Sequence, residues 1–190
     1  KRVYKDKFGP ANERQTITVT FTNRTKLIDG VTCMVVTDTV QQGGATIEDT
    51  EDWFAQDRDG NVWYCGESSR QLETFDGDSP KLAELVGIDG SWKAARDGAK
   101  AGILMPGRPA VGRTGRLELK WDEAEDANEI ISDTGSATTP GASCTHTCIV
   151  TRDFSPLDAG GGEENKYYAP GKGLILEIDL ETGQRTELQP

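Results

Sequence analysis

The sequence predicts a mainly β protein: a single strongly curved antiparallel sheet, a half-barrel or open barrel, of about nine or ten strands with one short helix. The composition favours strands because Gly is abundant, at 22 of 190 residues, and Thr, Val and Ile are frequent. A helical bundle would be led by Ala and Leu instead. Short apolar or alternating runs follow one another between turn signals, which is typical of strands in meander order. No period of about 20 to 50 residues repeats, which disfavours a solenoid or propeller.

The stretch 50–67 is predicted to form the β-hairpin that anchors the core. Two aromatic-rich runs flank the polar loop Asp59-Gly60-Asn61, where Gly supplies the positive φ that such loops need. Trp53, Trp63 and Tyr64 all lie within one strand length of this loop. Because aromatic side chains bury more area than other types, we expect this hairpin to dominate the core.

The other elements follow in chain order. Residues 1–14 are predicted to form an N-terminal arm, and residues 15–190 a single β domain. The helix is placed at 79–87, because Ser79 can cap it, Pro80 suits its first turn and Gly87 can end it. The remaining predicted strands are 15–23, 31–40, 71–75, 116–121, 129–132, 147–151, 174–180 and 185–188, and 98–115 is predicted to be a loop region, with Ile103-Leu104-Met105 plugging one end of the core.

Charge and cysteine content bound the partners and the compartment. The formal net charge is −11, so nucleic acid is not an expected partner, because phosphate contacts need a basic surface. The chain has four cysteines and begins at Lys1 rather than Met. Both features favour an exported protein with disulfides. No apolar run approaches the ~20 residues that a transmembrane helix needs.

Two motifs form a recognisable pattern. The first is Trp53-Phe54-Ala55-Gln56-Asp57 with Asp59-Gly60-Asn61-Val62-Trp63-Tyr64, and the second is Tyr167-Tyr168-Ala169-Pro170-Gly171 with Gly173-Leu174. Together with Thr139-Pro140-Gly141 before the Cys148-Ile149-Val150 strand, they resemble a group of uncharacterised exported bacterial proteins, similar in turn to the half-barrels of lipoprotein carriers. The resemblance covers roughly residues 15–188, and the chain departs from it at 78–88 and at Cys144-Thr145-His146. It implies a curved sheet around an apolar concavity and a secreted, periplasmic or cell-surface location. It implies no catalytic residue.

Three short motifs offer metal ligands. In Cys144-Thr145-His146-Thr147-Cys148 the thiols and the imidazole suit Zn²⁺ or copper, but neighbouring ligands on a straight strand are roughly 7 Å apart, too spread for one tetrahedral ion. Disulfides with a solvated His146 are the favoured interpretation. Asp57-Arg58-Asp59-Gly60-Asn61 is similar to a calcium loop but lacks its distal Glu, and the same residues suit a turn. The acidic run 122–126 is expected to be a solvated loop, with weak cation binding as the alternative. We therefore predict no resident metal or cofactor, and keep calcium as a weak alternative partner.

The residues do not predict an enzyme. The chain has one His, and neither a Gly-x-Ser-x-Gly elbow nor a phosphate or dinucleotide loop is present. A paired-carboxylate hydrolase stays open, because carboxylates are plentiful, although no pair stands out.

Two functions are carried forward. The first is a non-enzymatic exported protein that binds an apolar or amphipathic ligand, such as a lipid, in the concavity of the sheet. The second is a structural or surface-assembly subunit, because an ordered arm at 1–14 could self-assemble by adding to a sheet edge. A divalent-cation-binding protein is a third alternative. The candidate ligand-binding residues are Trp53, Trp63, Tyr64, Trp92, Trp121 and Tyr168.

All four cysteines are predicted to be oxidised. In a straight strand, the Cα atoms of Cys144 and Cys148 would be roughly 13 Å apart, too far for a disulfide. We therefore prefer Cys33–Cys148, which leaves Cys65 with Cys144. A Cys144–Cys148 disulfide stays open only if the segment turns.

Overall fold

The protein is one antiparallel sheet of 16 strands, in a computed structural model that describes residues 1–157 and 162–190. The strands are β1 (Arg2–Asp6), β2 (Gln15–Ile28), β3 (Val31–Gln42), β4 (Ala45–Gln56), β5 (Val62–Ser68), β6 (Gln71–Glu73), β7 (Glu84–Gly87), β8 (Trp92–Lys93), β9 (Lys100–Met105), β10 (Thr114–Arg116), β11 (Glu118–Leu119), β12 (Ala127–Thr138), β13 (Ser143–Phe154), β14 (Glu164–Ala169), β15 (Gly173–Asp179) and β16 (Arg185–Leu188).

The sheet curls until its two ends nearly meet. The hydrogen-bonded order is β10-β12-β13-β14-β15-β16-β1-β2-β3-β4-β5-β9-β11. Only Leu117 separates β10 from β11, yet β10 pairs with β12 at one end and β11 pairs with β9 at the other. Gly102 permits this crossing, because a Cβ there would lie 2.3 Å from the carbonyl oxygens of both Arg116 and Leu117. The predicted single, strongly curved antiparallel sheet is therefore confirmed as a nearly closed barrel.

The strand count and the helix were wrong. The sheet has 16 strands rather than nine or ten, and the described residues contain no helix. Residues 84–87, predicted to end a helix, instead form β7 and pair with β6. A helix of two turns needs a packed apolar face, but Leu82, Leu85 and Val86 are all exposed. The segment 100–105, predicted as loop, is β9, because it fills the gap beside β5.

The predicted anchor hairpin is confirmed, and another hairpin precedes it. Asp29 and Gly30 have φ values of 48° and 77° and join β2 to β3, as expected of a tight hairpin turn. The anchor hairpin pairs β4 with β5. Its loop is held by the Asp57 carboxylate, which accepts hydrogen bonds from the backbone N–H groups of Asp59 and Asn61, the Asn61 amide and the Trp63 indole.

The N-terminal arm contributes a strand to its own sheet. β1 lies between β16 and β2 and pairs antiparallel with both. Beyond it, the Asp6 carboxylate accepts a hydrogen bond from the backbone N–H of Gln15, where β2 begins. The order of the arm therefore has a cause within the chain and gives no separate support for self-assembly.

Two apolar clusters stabilise the barrel. One cluster surrounds Trp53, Tyr64 and Trp92 and includes Cys33 and Cys65. The second lies around Ile175, Leu176 and Val150 on the opposite wall, and the chain termini join it through Tyr4 and Leu188. The anchor hairpin supplies most of the aromatic area of the first cluster, as the sequence predicts, but the second cluster contains no tryptophan.

Candidate functional site

The inner face of the barrel carries buried carboxyl groups among its apolar side chains. Strand register places Asp52 of β4 beside Val36 on one side and Glu67 on the other, and Glu67 beside Trp92. Side chains paired in this way share one face of a sheet. The sequence did not predict this, because alternation identifies two faces of a strand and does not say which one a closing sheet will turn inwards.

Burial of these carboxyls favours their neutral form. Desolvation, with repulsion from neighbouring carboxylates added, raises the pKa of Asp38 to about 7, of Asp52 to about 6, and of Glu67 and Glu118 to about 8. The hydroxyl of Tyr64 donates a hydrogen bond of 2.6 Å to Asp52 and opposes the shift there. The inner face therefore holds protons that an unfolded chain would release at neutral pH.

On the opposite wall of the barrel, one lysine, Lys166, is the counter-ion of the acidic side chains. Burial lowers the pKa of Lys166, but attraction from Glu177, Asp153 and Glu164 outweighs it and holds the pKa well above its usual range. The ammonium lies 3.3 Å from Glu164 and 3.5 Å from Asp153. It serves as an internal counter-ion, and so it is not available to a ligand.

A cleft of about 360 Å³ is lined by Trp53 and Trp92 among other residues, and we call it the tryptophan cleft. The strand pairing beside the cleft brings three residues side by side. Trp53 on β4 pairs with Gly66 on β5, and Gly66 pairs with Lys93 on β8. Gly66 has φ 131°, and a Cβ there would lie 2.5 Å from the Trp92 carbonyl oxygen. Only glycine therefore lets β8 approach closely enough to form this pairing.

Four basic side chains line the tryptophan cleft, although the protein as a whole is strongly acidic. They are Lys26, Lys93, Arg96 and Lys120. The Lys26 ammonium lies 3.4 Å from the centre of the Trp53 ring. Burial lowers the pKa of Lys26, and repulsion from Lys93 lowers it further. Within the described part of the chain neither Lys26 nor Lys93 forms an ion pair, whereas Arg96 pairs with Asp97 and Lys120 with Glu123.

The cleft also has carboxylates and an apolar rim. Glu67 and Asp97 line it, but Asp97 is paired with Arg96 and burial raises the pKa of Glu67. Ile88 contributes an exposed apolar side chain at the rim. The arrangement is amphipathic: indole and aliphatic walls with two unpaired ammonium groups.

The six candidate ligand-binding residues do not gather into one site. Trp53 and Trp92 both line the tryptophan cleft, and Trp63 lines a separate groove beside β9 and β10. Tyr64 is buried, stacked on Phe54 at 4.7 Å and edge-on to Trp92. Trp121 is 68% exposed at a turn, and Tyr168 lies on β14 of the opposite wall.

Sequence reasoning missed the basic residues of the cleft. Lys26, Lys93, Arg96 and Lys120 come from four separate segments, and none belongs to a motif. No local signal identified them: Lys26 lies on the face of β2 that register turns towards Trp53, and register is a property of the folded sheet.

The preferred disulfide pairing was also wrong. Cys144 is bonded to Cys148, with Cα atoms 5.7 Å apart, rather than Cys33 to Cys148 and Cys65 to Cys144. The segment does turn: His146 has φ 53°, and a bulge lies between the Gly135–Cys148 and Ala137–Cys144 pairs. The expectation failed because it assumed a straight strand. His146 is exposed and its neighbouring sulfurs are bonded to each other, so the thiolate-and-imidazole motif offers no thiolates.

The two acidic motifs are occupied by internal contacts. Asp57 holds the hairpin loop, and its hydrogen bonds lower its pKa to about 2. In the run 122–126, Glu125 pairs with Arg116, and Glu123 with Lys120. Among residues 1–157 and 162–190, no group of three or more His, Cys, Asp or Glu side chains is placed to hold a metal ion.

Comparisons with protein-family models, with curated proteins and with solved structures each return no match to this chain. The resemblance to exported bacterial proteins therefore stays a prediction. In the described ranges no helix is long and apolar enough to cross a membrane. The Cys144–Cys148 disulfide is consistent with a location outside the cytoplasm.

Proposed function

We propose that this is a non-enzymatic exported protein that binds an amphipathic anion, an apolar chain with a carboxylate or phosphate head, in the tryptophan cleft. The observation that carries the proposal is the pair of unpaired ammonium groups, Lys26 and Lys93, beside the buried indole of Trp53. The ligand is amphipathic, as the sequence predicts, but its proposed site is this cleft rather than the concavity of the sheet.

Electrostatics favours an anion at this position. Lys93 lowers the pKa of Lys26 by repulsion, and a negative group between the two ammonium groups would relieve this repulsion, because opposite charges at short range favour the charged form. The barrel interior gives the opposite preference. An anion there would make ionisation of the buried carboxyl groups still less favourable, and the desolvation of these groups disfavours an apolar guest that would exclude water further.

The walls of the cleft suit the apolar part of such a ligand. Trp53 and Trp92 line the cleft but are each only 3% exposed, so the apolar surface open to a ligand is mainly that of Ile88. Ligand sites are typically apolar with a small number of polar groups that fix orientation. A cleft of about 360 Å³ falls at the small end of the range for such sites, which runs from about 300 to 1,000 Å³.

The experiment is a titration with oleate below its micelle concentration, followed by calorimetry and by tryptophan fluorescence. Oleyl alcohol serves as the uncharged analogue. We expect oleate to bind and the alcohol to bind at least about tenfold more weakly, because a charge-assisted hydrogen bond contributes about 1.5–3 kcal/mol. The double variant Lys26→Gln/Lys93→Gln should lose a similar factor, and Ile88→Ser should weaken oleate and alcohol alike.

Lys172→Gln is the matched control, because Lys172 is an exposed lysine between β14 and β15, away from the cleft residues. Absence of oleate binding to the folded protein would reject the proposal. So would a Lys26→Gln/Lys93→Gln variant that binds oleate as well as the control does.

A further inference from the structure

A second disulfide site lies in the apolar cluster that contains Trp53 and Trp92. Cys33 on β3 and Cys65 on β5 are both buried and unbonded, and their sulfur atoms are 2.7 Å apart. This distance approaches the ~2.05 Å of a disulfide bond. We propose that Cys33 and Cys65 are linked by a disulfide in the mature protein. This bond forms by exchange with a disulfide oxidant of an oxidising compartment.

The local geometry explains how sulfurs on strands that are not neighbours can meet. β4 separates β3 from β5 in the sheet, and two strand spacings amount to about 9.5 Å. On β4 the small side chain of Ala55 packs against the same cluster as both cysteines, which leaves room for their sulfurs. The pairing between β4 and β5 shifts register after Trp53–Gly66 and resumes at Phe54–Tyr64, so Cys65 is the extra residue of a bulge. Such a bulge bends its strand and re-aims its side chain.

The reaction is an exchange that balances without any further reagent. A thiolate of one cysteine attacks the oxidant's disulfide, and the second cysteine then displaces the oxidant's remaining half. Cys33–SH and Cys65–SH lose two hydrogens and form one S–S bond. The oxidant, of the glutathione disulfide class, is reduced to two thiols.

The buried environment sets when the bond forms. Burial, together with the neighbouring Cys33 thiol, raises the pKa of the Cys65 thiol to about 12. Because the thiolate is the attacking species, a folded and reduced protein should oxidise slowly. The bond should therefore form while the chain is still folding, and resist reduction afterwards.

Digestion with trypsin distinguishes the possible disulfide pairings. Cleavage after Lys26, Arg58, Arg70, Lys120 and Arg152 would release Cys33 in peptide 27–58, Cys65 in peptide 59–70 and the other two cysteines in peptide 121–152. The protein is refolded in a glutathione redox buffer, alkylated in denaturant and digested without reduction. We expect peptides 27–58 and 59–70 to be linked, two hydrogens lighter than their sum, and 121–152 to carry an internal bond.

Two controls make the experiment decisive. The double variant Cys33→Ala/Cys65→Ala should lose the linked pair and keep the internal bond, and the single variant Cys33→Ala should leave one alkylated thiol, at Cys65. Glutathione disulfide added after folding in reductant should form the 33–65 bond at least tenfold more slowly than in the unfolded chain. Alkylated Cys33 and Cys65 in a sample whose Cys144–Cys148 bond is complete would overturn the proposal. A link from 27–58 to 121–152 would do the same.

Discussion

The free energy of unfolding of this protein should fall as the pH rises, and substitution of Glu118 tests the cause. Its carboxyl lies on the inner face of the barrel, where burial, together with the neighbouring Asp126 and Asp52, raises its pKa to about 8 from an ordinary 4.5. Between those two pH values the folded state binds a proton that the unfolded state has released. The free energy of unfolding therefore decreases with pH across this window, because stability falls wherever the folded state binds more protons.

The size of the effect follows from the shift. At about 1.4 kcal/mol per pKa unit, the shift from 4.5 to about 8 means that ionising Glu118 in place costs on the order of 5 kcal/mol. Glu118→Gln keeps the shape of the protonated side chain and an oxygen acceptor near the Trp92 indole, but it cannot ionise. We expect the variant to match the wild type within about 1 kcal/mol at pH 5, and to exceed its stability by several kcal/mol at pH 9. Part of that gain comes from Glu67, whose pKa is also raised by Glu118.

Urea unfolding at pH 5, 7 and 9, followed by tryptophan fluorescence, measures this difference. Glu181→Gln is the control, because Glu181 is exposed in the turn between β15 and β16. A wild-type stability that stays level or rises between pH 5 and pH 9 would refute the reasoning. Equal pH dependence in Glu118→Gln and Glu181→Gln would also refute it.

Three further substitutions test how the barrel is closed and held. Gly102→Ala should lower the free energy of unfolding by about 3 kcal/mol, because its Cβ would overlap the crossing backbone at 116–117. Gly115→Ala is the control in the same urea titration. It should cost much less, because a Cβ at Gly115 meets nothing closer than 3.7 Å. Tyr64→Phe removes the hydrogen bond to Asp52 and should cost about 1 kcal/mol, and carbon-13 NMR should show a higher pKa for Asp52, since that bond lowers it. Cys144→Ser/Cys148→Ser opens a loop of sequence separation 4 and should cost about 2 kcal/mol on the chain-entropy scale; an unchanged urea midpoint would contradict that figure.

The hairpins and the fold class could be predicted because their causes are local. Asp29-Gly30 supplies the two positive φ values of a tight turn, and the alternation of Ile17, Val19 and Phe21 marks a strand without reference to any partner. Aromatic residues on both sides of Asp57–Asn61 placed the first apolar cluster correctly. These signals extend over a few residues, and tertiary packing left them unchanged.

The disulfide and the short strands depended on contacts between distant residues. A bulge at His146 shortened the separation of Cys144 and Cys148, and no local rule requires a bulge there. β7, β8 and β11 have only two to four residues each, so they carry too few residues for a periodic signal. They are strands because a neighbouring edge offers them hydrogen bonds.

The candidate site shows most clearly which features have local causes and which depend on contacts between distant residues. The sequence by itself determined an acidic, aromatic-rich antiparallel sheet and named Trp53 and Trp92 as ligand-binding candidates. Only the tertiary structure decided that Lys26 and Lys93 meet at those indoles, while Asp52, Glu67 and Glu118 turn inwards. The physical reason is that side chains alternate along every strand, so curvature and register, which are set by the whole sheet, choose which face becomes the inside.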